Sequence, residues 1–318
     1  MYSYIMEIVL GIRATARVFE VDANTVLQWL AEAAEQLRVL SAYFLCHLHL
    51  EQLQLDELYT VLRAFKAGEI TDDDAIERLE RSSSWVWTAM DPTSKLLVVV
   101  DVGGRTLAMA QRVVHQVSRV LAPGCVPLFL TDGLKDYGTA LLTHFGCWMQ
   151  PERRQDKGPR PKPRWMPLPA LLYAQIVKSY RRRRLVGVQH RVVFGTRLAI
   201  EQVLAACGWS MNTAFVERLN LDLRQRVAAI GRRVNTLCQG EAGLRDQLVL
   251  FQVYHNFVLP HASLRQPLPA PEVTNGRGTA KRWQPLTPAM AAGLTDHVWS
   301  LREVLLFRVP PWSQPAGV

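Results

Sequence analysis

The sequence predicts a mixed α/β fold, a single sheet flanked by helices, and three stretches of chain carry that expectation. LQLDELYTVL, SSWVWTAMD and KLLVVVDVGG are short β-rich runs divided by turn or charged segments. Pro92 in MDPTSK marks a tight turn between the second and third, so three antiparallel strands are expected. TLAMAQRVVHQVSRVLA then shows helical periodicity and ends at Pro123-Gly124. VPLFLTDG follows as a short apolar run of the kind buried on both faces, and LKDYGTALLTHFG is again helical. An order β-β-β-α-β-α needs helices on both faces of the sheet.

Before these runs, GIRATARVFEVDANTVLQWLAEAAEQL predicts two helices around a sharp turn at Glu20 to Asp22. Asp22 caps the second helix, and Val18, Phe19, Val26, Leu27 and Leu30 supply apolar contacts. The spacing is that of a helix-turn-helix, with Asn24, Thr25 and Gln28 facing a DNA groove. Residues 11 to 38 carry Arg13, Arg17 and Arg38 against Glu20, Asp22, Glu32 and Glu35, so a plain helical hairpin is the competing reading. TDDDAIERLE, between the first two β-rich runs, predicts a short helix with Asp72 to Asp74 at its solvated N-terminus.

Residues 151 to 169 hold six prolines and the run PERRQDKGPRPKPR, which predicts an extended basic loop. A helix from Leu171 through Arg184 and a strand over GVQHRVVFG are expected next. A helix from Asn212 to Val234 carries Val216, Leu219, Leu223, Val227 and Ile230 as its buried stripe. Another spans Gly243 to Val258. Beyond Pro260 the chain is rich in Pro and Gly, with a helical stretch over Thr287 to Leu306. The organisation expected is an N-terminal helical segment over 1–48, a core over 49–262 and a tail over 263–318.

Composition bounds the function. The 318 residues are 49% hydrophobic and 20% charged, an ordinary globular mixture. The net charge is +9, from 37 Lys+Arg against 28 Asp+Glu. Between Pro151 and Arg197 there are 13 basic residues against Glu152 and Asp156, a net of +11. Positive charge so concentrated marks a polyanion partner such as nucleic acid, the alternative being a solvated basic loop. The 5 cysteines are scattered, with no C-x-x-C pair, which argues for a reducing compartment and against a disulfide framework or structural zinc. No signal-like leader and no stretch of 18 apolar residues is present, so a cytoplasmic protein without membrane contact is expected.

Two aspartates stand out. Asp56 lies inside a strand run beside Leu55 and Leu58, and Asp132 ends the buried run FLTDG. Charges are seldom buried without a partner or a metal, so each either pairs with an arginine or serves a site. Glu217 shares a helical stripe with Asn220 and Arg224, an arrangement suited to metal ligation and phosphate contact, or to a solvated face. Among competing acids, Asp101 beside Gly103-Gly104 suits a turn, Asp136 suits a helix start near Asp132, and Glu201 has no phosphate-binding neighbour. His255, His261, Trp85 and Trp87 have packing roles as their simplest reading.

FVERLNLDLRQRVAAIGRRVNT closely resembles the ER-x-N-L-x-L-R-x-x-x-x-x-x-x-R segment of insertion-sequence transposases of the insertion-element-one group. LQLDELYTVL with WVWTAMDP, and LFLTDGLKDY, look like the first and second aspartate motifs of that family, in the same order. YHNFVLPHASL is similar to the Y-x-N-F-x-x-P-H-x-S-L ending of DDE recombinases. The resemblance spans residues 11 to 308.

The resemblance implies an RNase H-like core in which Asp56, Asp132 and Glu217 hold two Mg²⁺ ions, with Mn²⁺ as a substitute. It implies cleavage at the ends of a DNA element and joining of the freed 3′-hydroxyls to target DNA, by a homo-oligomer on DNA in a prokaryotic nucleoid. The DNA contacts expected are Asn24, Thr25 and Gln28 of the N-terminal segment; Arg153, Arg154, Lys157, Arg160, Lys162 and Arg164 of the loop; Arg181, Arg182, Arg183 and Arg184; and Asn220 with Arg224. Family members usually carry a cysteine-bearing zinc ribbon ahead of the helix-turn-helix. The missing C-x-x-C pairs therefore predict a truncated copy with an intact core and impaired recognition of element ends. Two other readings stay open, a non-catalytic DNA-binding relic and a structure-specific nuclease of the same fold.

Overall fold

The computed structural model describes residues 12–62, 83–152, 160–182, 184–230, 240–272 and 280–311. Arg153, Arg154, Lys157, Arg183 and Asp72 to Asp74 lie outside the described residues.

One six-stranded mixed sheet organises the chain. β1 (Gln52–Val61), β2 (Ser83–Met90) and β3 (Leu97–Gly103) pair antiparallel, as the sequence predicts. β4 (Leu128–Thr131) runs parallel to β1 on its other side, β7 (Tyr173–Arg181) runs parallel to β4, and β8 (Arg184–Phe194) closes the edge antiparallel to β7. The order is β3-β2-β1-β4-β7-β8. β4 is short and wholly buried, which is why it is a continuous apolar run without alternation.

Helices cover both faces. α3 (Leu107–Val120) is capped by Thr106 and buries Met109, Ala110, Val113, Val114 and Val117 at helical spacing. α4 (Asp136–His144) lies beside it, and both share a core with Trp87, Phe129 and Tyr173. On the opposite face, α6 (Ala214–Arg226) and α7 (Gly240–Val253) pack with α2 (Ala23–Phe44) around Val86, Leu97 and Phe251. A third cluster sits under α5 (Arg197–Ala206), where Ile200 and Leu204 meet Leu130 and Ile176.

The N-terminal turn forms where expected. α1 (Ile12–Val18) precedes it, Glu20 takes φ 55°, and the Asp22 carboxylate accepts the Asn24 backbone N–H at 2.8 Å to cap α2. Val18 and Leu27, expected as contacts, are exposed, whereas Val26 and Leu30 are buried. α2 runs on to Phe44 and buries Leu37 and Leu40 in the same core as β2 and β3. The C-terminal segment returns to it through α8 (Pro288–Ala291) and α9 (Leu301–Leu306), with Phe44, Phe257, Trp299 and Phe307 in mutual ring contact. The single helical stretch expected over Thr287 to Leu306 is thus two short helices.

Other expectations are corrected. The helix expected from Leu171 through Arg184 is β7: Tyr173 to Ile176 are buried on both faces of the sheet, so no polar alternation betrays the strand. The loop expected over residues 151 to 169 contains β6 (Arg164–Pro167), paired antiparallel with β5 (Gly146–Met149). α6 ends at Arg226, ahead of the expected Val234, and α7 begins at Gly240 and passes into a π-helical turn over Tyr254–Val258. In the tail, β9 (Gln266–Glu272) and β10 (Lys281–Gln284) form a hairpin. No helix among the described residues is long and apolar enough to cross a membrane.

Candidate active site

Asp56 and Asp132 come together because β1 and β4 are parallel neighbours in register. Leu55 pairs with Thr131, so the next residue of each chain, Asp56 and Asp132, lies at the same level where β4 ends. Successive residues of a strand point to opposite faces, which sends Asp56 toward α6 and Glu57 toward the face of α3 and α4. Asp132 lies beyond the end of its ladder. One carboxylate oxygen from each of Asp56, Glu57 and Asp132 falls within 4.8 Å of the others.

Glu217 reaches the same cleft from the first turn of α6. That turn is fixed by Gln54 of β1, whose side-chain oxygen accepts the Val216 N–H at 3.1 Å and whose amide donates to the Asn212 carbonyl at 3.0 Å. Thr213 occupies the cap position without making a capping bond; its hydroxyl donates to Glu217 Oε1 at 2.6 Å, and Lys178 Nζ pairs with the same oxygen. Glu217 stays outside the tight three-acid set and forms the opposite wall. Glu201, the rival, is exposed and pairs with Arg197 within its own helix.

Each aspartate is held in orientation. Asp56 accepts the Glu57 N–H at 2.9 Å and the Asn220 amide at 2.9 Å, and the Thr88 hydroxyl donates to Asn220 Oδ1 at 3.2 Å. Asn220 is therefore buried and positions Asp56, a correction to its expected phosphate contact. Asp132 accepts the Leu134 N–H at 2.9 Å, and Gln175 holds the Leu134 carbonyl at 2.9 Å. Arg105 bridges the mouth: its guanidinium lies 3.0 Å from Glu57, 3.5 Å from Asp132, and 4.9 Å from the centre of the Trp85 ring.

The acids lack enough positive charge at close range. Burial first, then the charges of Asp132 and Glu217, push the Asp56 carboxyl up to about 7 against the hydrogen bonds from Glu57 and Asn220. Burial and Asp132 likewise raise Glu57 to about 7, opposed by Arg105. Hard carboxylate oxygens gathered so closely suit Mg²⁺ or Mn²⁺, whose charge offsets the burial and the mutual repulsion that make them hold protons. Asp56, Glu57 and Asp132 are close enough to share a cation, and Glu217 stands across the cleft from them.

The cleft, of about 640 Å³, is lined by Asp56, Asp132 and Glu217 together with Arg105, Lys135, Asp136 and Lys178. Asp136 thus touches the site from the start of α4. Arg224, half-buried near the end of α6, is not among the lining residues, and neither are the described residues of the Pro-rich segment. β5 and β6 sit at the far end of α4. Arg181, Arg182 and Arg184 are exposed at the turn of the β7–β8 hairpin, which outruns β4 beyond Gln175. Asn24 and Gln28 are exposed and Thr25 half-buried at the start of α2; the Gln28 amide bonds Glu32 at 2.9 Å.

Asp101 has no turn role. It is buried in β3 and meets Arg112 at 2.8 Å, Arg245 at 3.0 Å and the Gln116 amide at 2.8 Å. His255 is buried, stacked on Phe251 and bonded to the Lys95 carbonyl at 3.0 Å, while His261 caps a short turn at Ser263. Trp87 is a core residue and Trp85 carries Arg105.

Sequence reading missed Glu57, Arg105, Lys178 and Thr213. Glu57 was legible as a second acid inside the run LDEL; Lys178 was hidden by the helix expected over its strand. A scan against protein-family models finds no match, and searches of curated proteins and of solved structures find none either.

Proposed function

We propose that this chain is a polynucleotidyl transferase with an RNase H-like core. Within that class, we propose a DDE transposase whose acids are Asp56, Asp132 and Glu217. The observation that carries the reading is the meeting of Asp56, midway along β1, with Asp132, just past the end of the adjacent parallel β4, and Glu217 across the cleft on a helix. The strand order, antiparallel over β3-β2-β1 and parallel from β1 through β4 to β7, supports it.

Divalent cations bound by these acids supply charge neutralisation and Lewis acidity for in-line displacement at phosphorus. The chain's own groups prepare that chemistry. Asn220 and the Glu57 N–H aim Asp56, the Leu134 N–H aims Asp132, and Thr213 with Lys178 hold Glu217. Asp56 must release the proton it retains near neutral pH before it ligates. Arg105 and Lys135 bring positive charge to the rim for phosphate approach, and no protein nucleophile is required.

In the first step, water attacks the phosphodiester at an element end and the P–O3′ bond breaks, leaving a 3′-hydroxyl. That hydroxyl then attacks a target phosphodiester, and the target's own 3′-oxygen departs with the proton. The exposed Arg181, Arg182 and Arg184 follow Lys178 along the β7–β8 hairpin at about 3.3 Å per residue, so the first lies roughly 10 Å beyond the cleft and suits the flanking phosphates. The α1–α2 pair, with Asn24 and Gln28 outward, serves as the DNA-recognition segment, and a homo-oligomer brings two element ends together.

The test is incubation of the full chain with DNA carrying the repeats that flank its coding sequence, with and without Mg²⁺. A Mg²⁺-dependent 3′-end cut followed by joined products is expected. Binding without a cut would establish the relic reading, and cutting without joining the nuclease reading.

A further inference from the structure

Two tryptophans stand in solvent at the end of the molecule away from the cleft. Trp148 on β5 and Trp165 on β6 are directly opposite in the hairpin register and are 62% and 39% exposed. Their ring centres lie 6.0 Å apart with planes at 68°, an edge-to-face contact that leaves ring faces uncovered. Trp87 and Trp299 are buried, and Trp283, 44% exposed, lies under the Arg265 guanidinium at 4.4 Å, so among the described residues this pair is a distinct exposed apolar surface, with Met149 on the other face of the hairpin.

Charge says what covers it. Arg160 and Lys162 are exposed in the segment leading into β6, while Arg164, paired with Met149, points to the other face of the hairpin. From Arg160 to Leu172 the sequence has three basic residues and no acid. A second copy docked here would bring these cations against their own images. A polyanion with flat apolar faces matches both features. Duplex DNA hides its base faces inside the stack, whereas unpaired bases offer theirs to aromatic rings.

We propose that Trp148 and Trp165 form a stacking platform for unpaired nucleotides, with Arg160 and Lys162 pairing with the phosphates. The surface is separate from the cleft: the nine-residue α4 runs from Asp136 at the cleft to His144 just before the hairpin, roughly 13 Å of helix. It needs no chemistry at Asp56 and so does not depend on the reading proposed above.

The experiment is anisotropy with labelled oligo-dT and a matched duplex, on the full chain and on Trp148→Ala/Trp165→Ala. Loss of about 30-fold or more in oligo-dT affinity, with duplex affinity within about twofold, is expected from removing two stacked bases. Trp148→Phe/Trp165→Phe should retain most of the binding. Trp148→Ala alone, which removes the more exposed ring, covers failure of the double variant to fold. Unchanged oligo-dT affinity, or equal loss for both DNAs, overturns the proposal. So does conversion of an oligomer to monomer in sedimentation with oligo-dT binding intact, which would make the platform a protein interface. Asp56→Asn should bind oligo-dT normally, so failure here and failure of the transposase reading remain distinguishable.

Discussion

Asp101, buried in β3, and Asp56, half-buried in β1, are carboxylates of one sheet, and they live in opposite circumstances. Asp101 receives two guanidiniums, an amide and a backbone N–H, so its charge is compensated entirely by the protein. Asp56 receives one amide and one backbone N–H and faces two further acids. A buried charge satisfied by its neighbours belongs to the fold. One left short of countercharge in an open cleft marks a site where something from outside completes it. Residue type is shared; the difference lies in the partners and in exposure, Asp101 being buried and Asp56 half-buried at the cleft.

The largest expected effect separates the two acids by activity. Asp56→Asn, Asp132→Asn and Glu217→Gln should each lower Mg²⁺-dependent cleavage by about 10³ or more, in line with loss of a main electrostatic stabiliser. DNA affinity should persist. Near-normal cleavage by Asp132→Asn would remove the proposed assignment.

Stability should move the other way. Asp101→Ala removes the buried acceptor shared by Arg112, Arg245 and Gln116 and should cost about 1–3 kcal/mol in chemical denaturation, with cleavage per folded molecule unchanged. Asp56→Asn removes repulsion and should leave the melting temperature equal to or above that of the parent in metal-free buffer. A large drop for Asp56→Asn would erase the contrast between the two carboxylates.

Proton linkage sharpens it further. The folded Asp56 holds a proton up to about 7, above its ordinary value of 3.8, so between those values the folded state binds more protons than the unfolded chain. This group therefore opposes folding increasingly as pH rises from about 4 to 7. Mg²⁺ should displace the proton: calorimetry near pH 6.5 in buffers of different ionisation enthalpy should detect proton release, and Asp56→Asn should detect less. His255 has the opposite sign, because burial lowers it to about 4 from 6.5 and stability falls as pH drops through that window.

The smallest effect concerns charge at the periphery. Neutralising Arg181, Arg182 and Arg184 should flatten the log-log salt dependence of duplex binding by roughly 0.9 per lost phosphate contact. An unchanged slope would make the β7–β8 tip a solvated turn.

Much of this was legible in the sequence where a residue type conflicted with its surroundings. Asp56 in LQLDELYTVL and Asp132 after FLT are charges with no packing reason, and the strand pattern placed them on one sheet. What stayed hidden depended on register or on a misread element. The proximity of Asp132 to both faces follows from β4 ending at Thr131, which no local pattern reveals. Lys178 entered the cleft only because LLYAQIVKSY, rich in residues that suit helices, is a buried strand. The Asp101 cage draws on α3 and α7, which lie well apart in sequence.

The spacing of the three acids along the chain has a bearing on synthesis. Glu217 follows Asp132 by 85 residues, counted from 217 − 132. At about 5–20 residues per second, a ribosome spends roughly 4–17 s between the two. Throughout that interval Asp56 and Asp132 are already made while α6, which carries both Glu217 and the Asn220 amide that aims Asp56, is still absent. The growing chain thus passes through a period with two acids of the set and no third wall, and the proposed site is completed in one event when α6 docks against Gln54.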